Sequence, residues 1–219
     1  MFNYELFESK KLERKNVDGS RMYQTDTGEL YPSVTTALGK LSEKGIARWR
    51  AAVGAEKANA ISTKAARAGT AMHQVAEDYV LNDFDALAKA DPIALHTFNT
   101  IRPYLDENVD TIYGVELQMY SDELRTAGTA DLICNYAGKP TMLDFKTSKR
   151  PKSKDKILNY FMQAAAYSIM VKEHYDLDIE KIVILMAVHG GHPIVFEEDV
   201  ADYLPMTRKF FELYHRGLL

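Results

Sequence analysis

Two carboxylates and a lysine sit in this chain where packing alone would not put them. Asp131 falls in the run Ala127–Tyr136, and Asp144 and Lys146 fall in Thr141–Thr147. Both runs are apolar and β-branched enough to read as strands. Ala137-Gly138-Lys139-Pro140 between them reads as a tight turn, so the two strands form a hairpin. Residues two apart on a strand share a face, so Asp144 and Lys146 point the same way. Such a pair is usually a solvated ion pair worth at most ~1 kcal/mol. A second carboxylate beside it shifts the balance, because clustered negative charge on a sheet face is costly without a counter-ion. A divalent metal ion supplies that charge and suits hard oxygen ligands.

The flanking elements bring further polar groups. Ser62–Leu81 reads as a helix with an apolar stripe at helical spacing, and His73 and Glu77 lie one turn apart on one of its faces. Gly69 is unexpected there, since glycine costs about 1 kcal/mol against alanine, and it marks a break or a close backbone approach. Glu43–Ala60 reads as a preceding helix anchored by Trp49, and Asp91–Asn108 as a following one that opens on Pro92. Thr111–Tyr120 reads as a strand carrying Glu116. Ile157–His174 is a strong helix with Gln163 and Tyr167 on one face, Lys181–Val188 and Pro193–Glu197 form a second hairpin across Gly190-Gly191, and Asp199–His215 closes the chain as an amphipathic helix capped by Asp199.

Before all of these, residues 1–31 read as short strands and turns, with a hairpin turn at Asp26-Thr27-Gly28-Glu29. Ser33, in Tyr31-Pro32-Ser33-Val34-Thr35-Thr36, is placed to cap a helix through about Leu41; the same hydroxyls and amides at a helix start also suit a phosphate. The order of helices, three strands, helix, two strands and helix predicts an α/β fold with a mixed central sheet flanked by helices.

Composition bounds the function. The 219 residues fit one domain, 46% hydrophobic, with residues 1–68 as N-terminal strands and helical elaboration and 69–219 as the core and closing helix. No apolar run reaches the ~18 residues of a membrane span. The N-terminus lacks a signal-peptide stretch, so the expected location is cytoplasmic. The single cysteine, Cys134, excludes an internal disulfide and any all-cysteine metal cluster. The net charge of −4 is not that of a bulk nucleic-acid binder, but basic residues concentrate in Lys146–Lys156 and in Arg48, Arg50, Lys57, Lys64 and Arg67. The first stretch, which includes Lys149, begins at the carboxylate hairpin, where phosphate contacts would fall.

The polar set His73, Glu116, Asp131, Asp144, Lys146, Gln163 and Tyr167 resembles the PD-(D/E)xK nuclease superfamily, in particular its RecB-like branch. The resemblance rests on the helix GTAMHQVAE, the strand glutamate in GVE, then GTAD, LDFK and QAAAY, in that order over Gly69–Tyr167. The Tyr-Pro-Ser-Val-Thr segment looks like one in stand-alone members such as mitochondrial genome-maintenance and small phage exonucleases. The resemblance implies Asp131 and Asp144 as central metal ligands, His73 as a ligand from the helix, and Glu116 as a further ligand or the residue that orients the attacking water. It implies the Phe145 carbonyl as a backbone ligand and Lys146 as the group that holds or deprotonates the water. Gln163 and Tyr167 would steady the site, and Ser33, Thr35, Arg67 and Lys149 would contact the substrate. The implied cofactor is Mg²⁺ or Mn²⁺, one ion or two, with Mn²⁺ at least as good because of the histidine.

Many RecB-like relatives carry four cysteines for an iron–sulfur cluster, which this chain lacks, and no GxxxxGK[ST] loop is present, so neither a cluster nor ATP is expected. The expected partner is DNA, single-stranded or with free ends, with no membrane, alongside replication or recombination proteins, in the host cytoplasm if the chain is phage-encoded. The preferred activity is a DNA exonuclease with single-strand preference. A structure-specific or restriction-type endonuclease on the same site is the second reading, and a non-catalytic DNA-end-binding module the third.

Overall fold

A computed structural model describes residues 2–219. Strands β1 (Asn3–Tyr4), β2 (Glu13–Val17), β3 (Ser20–Gln24) and β4 (Leu30–Pro32) come first. Helices α1 (Val34–Leu38), α2 (Glu43–Val53), α3 (Ala55–Val80), α4 (Phe84–Leu87), α5 (Pro92–Asn99) and α6 (Arg102–Asn108) follow. The remainder is β5 (Val109–Ser121), β6 (Thr126–Tyr136), β7 (Lys139–Ser148), α7 (Leu158–Tyr175), β8 (Lys181–Val188), β9 (Ile194–Asp199) and α8 (Leu204–His215).

Six strands form one mixed sheet in the order β1-β5-β6-β7-β8-β9, with β7 parallel to β8 and antiparallel to β6. Alternation along each strand feeds two cores. Ile133, Met142, Ile182, Ile184 and Met186 pack under α1, α7 and α8. Leu132, Leu143, Val183, Leu185 and Ala187 pack under α3, α5 and α6. The α/β fold with a flanked mixed sheet is therefore as the sequence predicts.

The sheet is forked. The ladder between β6 and β7 runs from Tyr136↔Lys139 to Leu132↔Leu143 and stops there. Beyond that point β6 stays paired with β5 as far as Thr126↔Ser121, and β7 stays paired with β8 as far as Ser148↔Val188. Asp131 and Asp144 are the first residues past the fork on either arm.

Several local expectations are corrected. The turn between β6 and β7 is two residues, Ala137 and Gly138, with φ of 51° and 78°. Pro140 pairs with Asn135 instead of ending the strand. The helix break falls at Gly54, where φ is 85°, so Ala55–Val80 is one long helix. Gly69 neither breaks α3 nor is forced by a close approach, since an added Cβ would meet Thr147 Oγ1 at an ordinary 3.6 Å. Trp49 is only half-buried, on a helix with no buried residue, so it does not anchor a core. The predicted helix Asp91–Asn108 is split into α5 and α6. Asp199 makes no cap; its carboxylate pairs with Lys181 at 2.7 Å, and α8 starts at Leu204.

Strands β2, β3 and β4 make a separate antiparallel sheet. Asp18-Gly19, with φ of 50° and 77°, closes its first hairpin. The sheet is pinned to the core by a bridge between Ser33 and Ala127 and by Thr126 Oγ1 donating to the Pro32 carbonyl at 2.8 Å. Tyr31 Oη donates to Asp122 at 2.7 Å, Tyr120 Oη to Asp26 at 2.9 Å, and Leu12, Tyr23, Tyr31, Tyr120 and Ala127 pack as a small core of their own.

Candidate active site

The fork leaves backbone groups of β7 without a β6 partner, and a side chain takes up one of them. The Phe145 N–H donates to Asp131 Oδ2 at 2.9 Å. In a strand the N–H and C=O of one residue point to the same side, so the Phe145 carbonyl faces the same gap. His73, on α3, reaches over the fork, with Nδ1 3.5 Å from Asp131 Oδ2. Burial pulls its pKa below the ordinary value, while Asp131 and the Phe145 backbone draw it back up.

Glu116 comes from β5 in an unusual conformation. Its φ is +46°, in the left-handed region that non-glycine residues enter uncommonly; Asp18, Asn82, Arg125, Ala137 and Asp176 also do so, outside the long strands, whereas Glu116 does so within one. His73, Glu116 and Asp131 each offer a ligand atom, all within 4.8 Å of one another. Burial raises the Glu116 carboxyl from 4.5 to about 7, and Asp131, Glu77 and Asp144 push in the same direction.

Asp144 stands slightly apart from these three. It is 4% exposed, and both its oxygens lie 2.5 Å from Lys146 Nζ. Oδ1 accepts the hydrogen bond; Oδ2 has no hydrogen-bond partner. Burial drives the Asp144 carboxyl up against the opposing pull of Lys146. Burial lowers Lys146, but Asp144 and Asp131 outweigh it and keep the ammonium charged. Tyr160, on α7, lies with its ring centre 5.0 Å from Lys146 Nζ and 5.1 Å from Lys152 Nζ, and Lys152 donates to its hydroxyl at 2.8 Å.

A cleft of about 770 Å³ opens over these groups. Gln163 and Tyr167 line it, as expected, with Gln163 Nε2 3.5 Å from Tyr167 Oη. Tyr167 is buried, which raises its pKa, and its ring lies against Gly128. Ser33 and Thr35 also line the cleft, but the Ser33 hydroxyl is committed to capping, accepting from Thr36 N at 3.0 Å. Thr35 is exposed. Arg67 and Lys149 are exposed and lie outside the cleft wall. Sequence reasoning missed Tyr160, and it missed Arg14, Arg21 and Tyr23, which the accessory sheet brings into the wall. Nothing in their local spacing marks them; only the packing of one sheet on another does.

The donor set fits a hard divalent cation. It offers two carboxylates and an imidazole within reach of one ion, and a carbonyl facing the gap.

No curated protein matches the chain in sequence. A crystal structure from Eubacterium rectale, of a protein named only provisionally as an exonuclease, aligns over 69% of each chain at 12% identity with a TM-score of 0.44. Residues 45–213 match the model of the PD-(D/E)XK nuclease superfamily, a span that takes in α3, the forked sheet and α7. The chain belongs to the PD-(D/E)XK nuclease superfamily.

Proposed function

We propose that this protein is a metal-dependent DNA exonuclease of the RecB-like kind, which hydrolyses phosphodiester bonds from DNA ends and prefers a single strand. The observation that carries the reading is the convergence of His73, Glu116 and Asp131 beside the Asp144–Lys146 pair at the fork. Those three residues and Asp144 would hold Mg²⁺ or Mn²⁺, with the Phe145 carbonyl. A divalent cation there supplies Lewis acidity at the phosphoryl oxygens and a lowered pKa for water. The cleft, about 770 Å³, has room for a few nucleotides of one strand, the space that a single-stranded substrate would need.

The residues divide the work. Lys146, kept cationic by two carboxylates, orients the attacking water or offers a donor to a non-bridging oxygen. Water attacks phosphorus in line and gives up a proton to solvent, the new P–O bond forms, the bond to the leaving sugar oxygen breaks, and that oxygen takes up a proton from solvent. Gln163 and Tyr167 steady the strand beside Asp131.

End-labelled linear single strands, duplexes and closed circles test the reading, incubated with Mn²⁺, Mg²⁺ or EDTA. Loss of linear strands alone, stopped by EDTA, Asp144→Asn and Lys146→Ala, is expected. Cut circles would replace the exonuclease with an endonuclease. Binding without cleavage under any metal would overturn the catalytic assignment.

A further inference from the structure

The cleft wall carries both signs of charge. Glu116, Asp131 and Glu77 line it together with Lys146. The accessory sheet adds Arg14 from β2 and Arg21 from β3 to the same wall. Arg14 is opposite Tyr23 and Asn16 is opposite Arg21, so all four side chains share one face, and the arginines are diagonal neighbours across the hairpin. Tyr31, opposite Tyr23, extends this face, and none of these five strand residues is a carboxylate; the nearest to Tyr31 is Asp122 of the core, which accepts from its hydroxyl at 2.7 Å. Among the described residues neither arginine has an ion-pair partner; Lys15, on the opposite face, is paired with Glu13 at 3.3 Å.

Both arginines are exposed, so solvent screens their mutual repulsion, and an anion lying between them would be attracted by both. The guanidinium fork is matched to phosphate oxygens. The wall that presents them is fixed to the nuclease core by its own hydrophobic cluster and by the Tyr31–Asp122, Tyr120–Asp26 and Thr126–Pro32 bonds, so the backbone that carries the arginines is held against the core.

We infer that Arg14 and Arg21 form a phosphate clamp in the accessory-sheet wall of the cleft that grips the substrate strand away from the bond being cut. The inference rests on the nuclease reading for the identity of the ligand. The phosphate is an internal diester or a terminal monoester of the strand.

The test uses the full chain with Ca²⁺ in place of the catalytic ion, and a fluorescent oligothymidylate in three forms: 5′-phosphorylated, 3′-phosphorylated, and hydroxyl at both ends. The double variant Arg14→Gln/Arg21→Gln is expected to bind at least tenfold more weakly than wild type. The slope of log affinity against log salt should become shallower by about 0.7 for each phosphate that the variant no longer neutralises. Lys11→Gln, an exposed cation on the same segment outside the cleft, controls for overall charge, and thermal melting controls for folding. Arg14→Lys/Arg21→Lys, which keeps charge without the fork, should bind between the two.

Equal weakening with all three oligonucleotides means an internal phosphate, and weakening confined to one phosphorylated end means a terminal one; both support the clamp. Wild-type affinity in the double variant, or an equal weakening in Lys11→Gln, would overturn it. Cleavage is scored separately with Mn²⁺. A wild type that binds through the arginines and cuts nothing would sink the nuclease and leave the clamp; a wild type that cuts while the variant binds as well would do the reverse.

Discussion

The ring of Tyr167 lies so close over Gly128 that a β-carbon at that position would meet Tyr167 Cε1 and Oη at 2.8 Å. Both are among the tightest-packed parts of the site, since Tyr167 is 4% exposed and has little room to withdraw. Gly128→Ala is therefore expected to destabilise by about 1–3 kcal/mol, the range for overpacking, and to lower hydrolysis by displacing Tyr167 from the strand path. Thermal melting and turnover of a single-stranded substrate check the two effects; an unchanged melting temperature would contradict the packing argument.

The ligand group makes a prediction that does not depend on turnover. His73→Ala, Glu116→Gln and Asp131→Asn should each weaken Mn²⁺ binding at least tenfold by titration calorimetry. Arg67→Gln, at a position outside the cleft wall, should bind the ion as wild type does. The histidine should matter more for Mn²⁺ than for Mg²⁺, because imidazole suits the softer ion.

Glu116 makes metal binding depend on pH. In the metal-free protein its carboxyl is pushed up from 4.5 to about 7, chiefly by partial burial and then by Asp131, Glu77 and Asp144. A carboxyl raised on folding gives stability that is whole below its ordinary value and is lost as pH rises to the folded value. The metal-free protein should lose stability from this group between about 4.5 and 7. A cation needs the ionised form, so binding expels the proton. Below about pH 7 the apparent Mn²⁺ affinity should rise about tenfold per pH unit, and Glu116→Gln should flatten that slope. Calorimetry in buffers of different ionisation enthalpy counts the proton directly.

Tyr160 holds the face of its ring toward Lys146 and is itself held by Lys152. Removing the ring in Tyr160→Leu should cost up to about 2 kcal/mol of Lys146 positioning, the upper range of cation–π energies, and so lower kcat by roughly tenfold or more with a smaller change in KM. Tyr160→Phe keeps the ring and loses only the hydroxyl bonded to Lys152, and should recover most of the rate. Equal losses in both variants would assign the effect to the hydroxyl.

The chemistry was more legible in the sequence than the geometry. Asp144 and Lys146 on one face, Glu116 on a strand, and Gln163 and Tyr167 on α7 follow from periods of two and of 3.6 residues, which are local. The divided sheet does not. Strand patterning shows that β6 and β7 pair but not where pairing ends, because Asp131 and Asp144 interrupt the apolar run no more than any edge position does. The length of α3 was hidden for a different reason. Its first half is exposed apart from Ala58, so the apolar stripe that marks a buried helix begins only near Met72. Arg14 and Arg21 were invisible because their role comes from the docking of an accessory sheet, and no spacing within the hairpin reports on what it docks against.

The fork gives the site a mechanical character. Its two arms belong to different half-sheets, β5–β6 and β7–β8, joined at the Leu132↔Leu143 rung, so the pair behaves like calipers with a pivot inside the core. Leu132 and Leu143 are fully buried and pack on the side of the sheet away from α7. The spread between Asp131 and Asp144 is then set from behind, by side-chain volume at the pivot, and ion selectivity becomes something that a change of one or two methylenes at Leu132 or Leu143 would retune without touching a ligand.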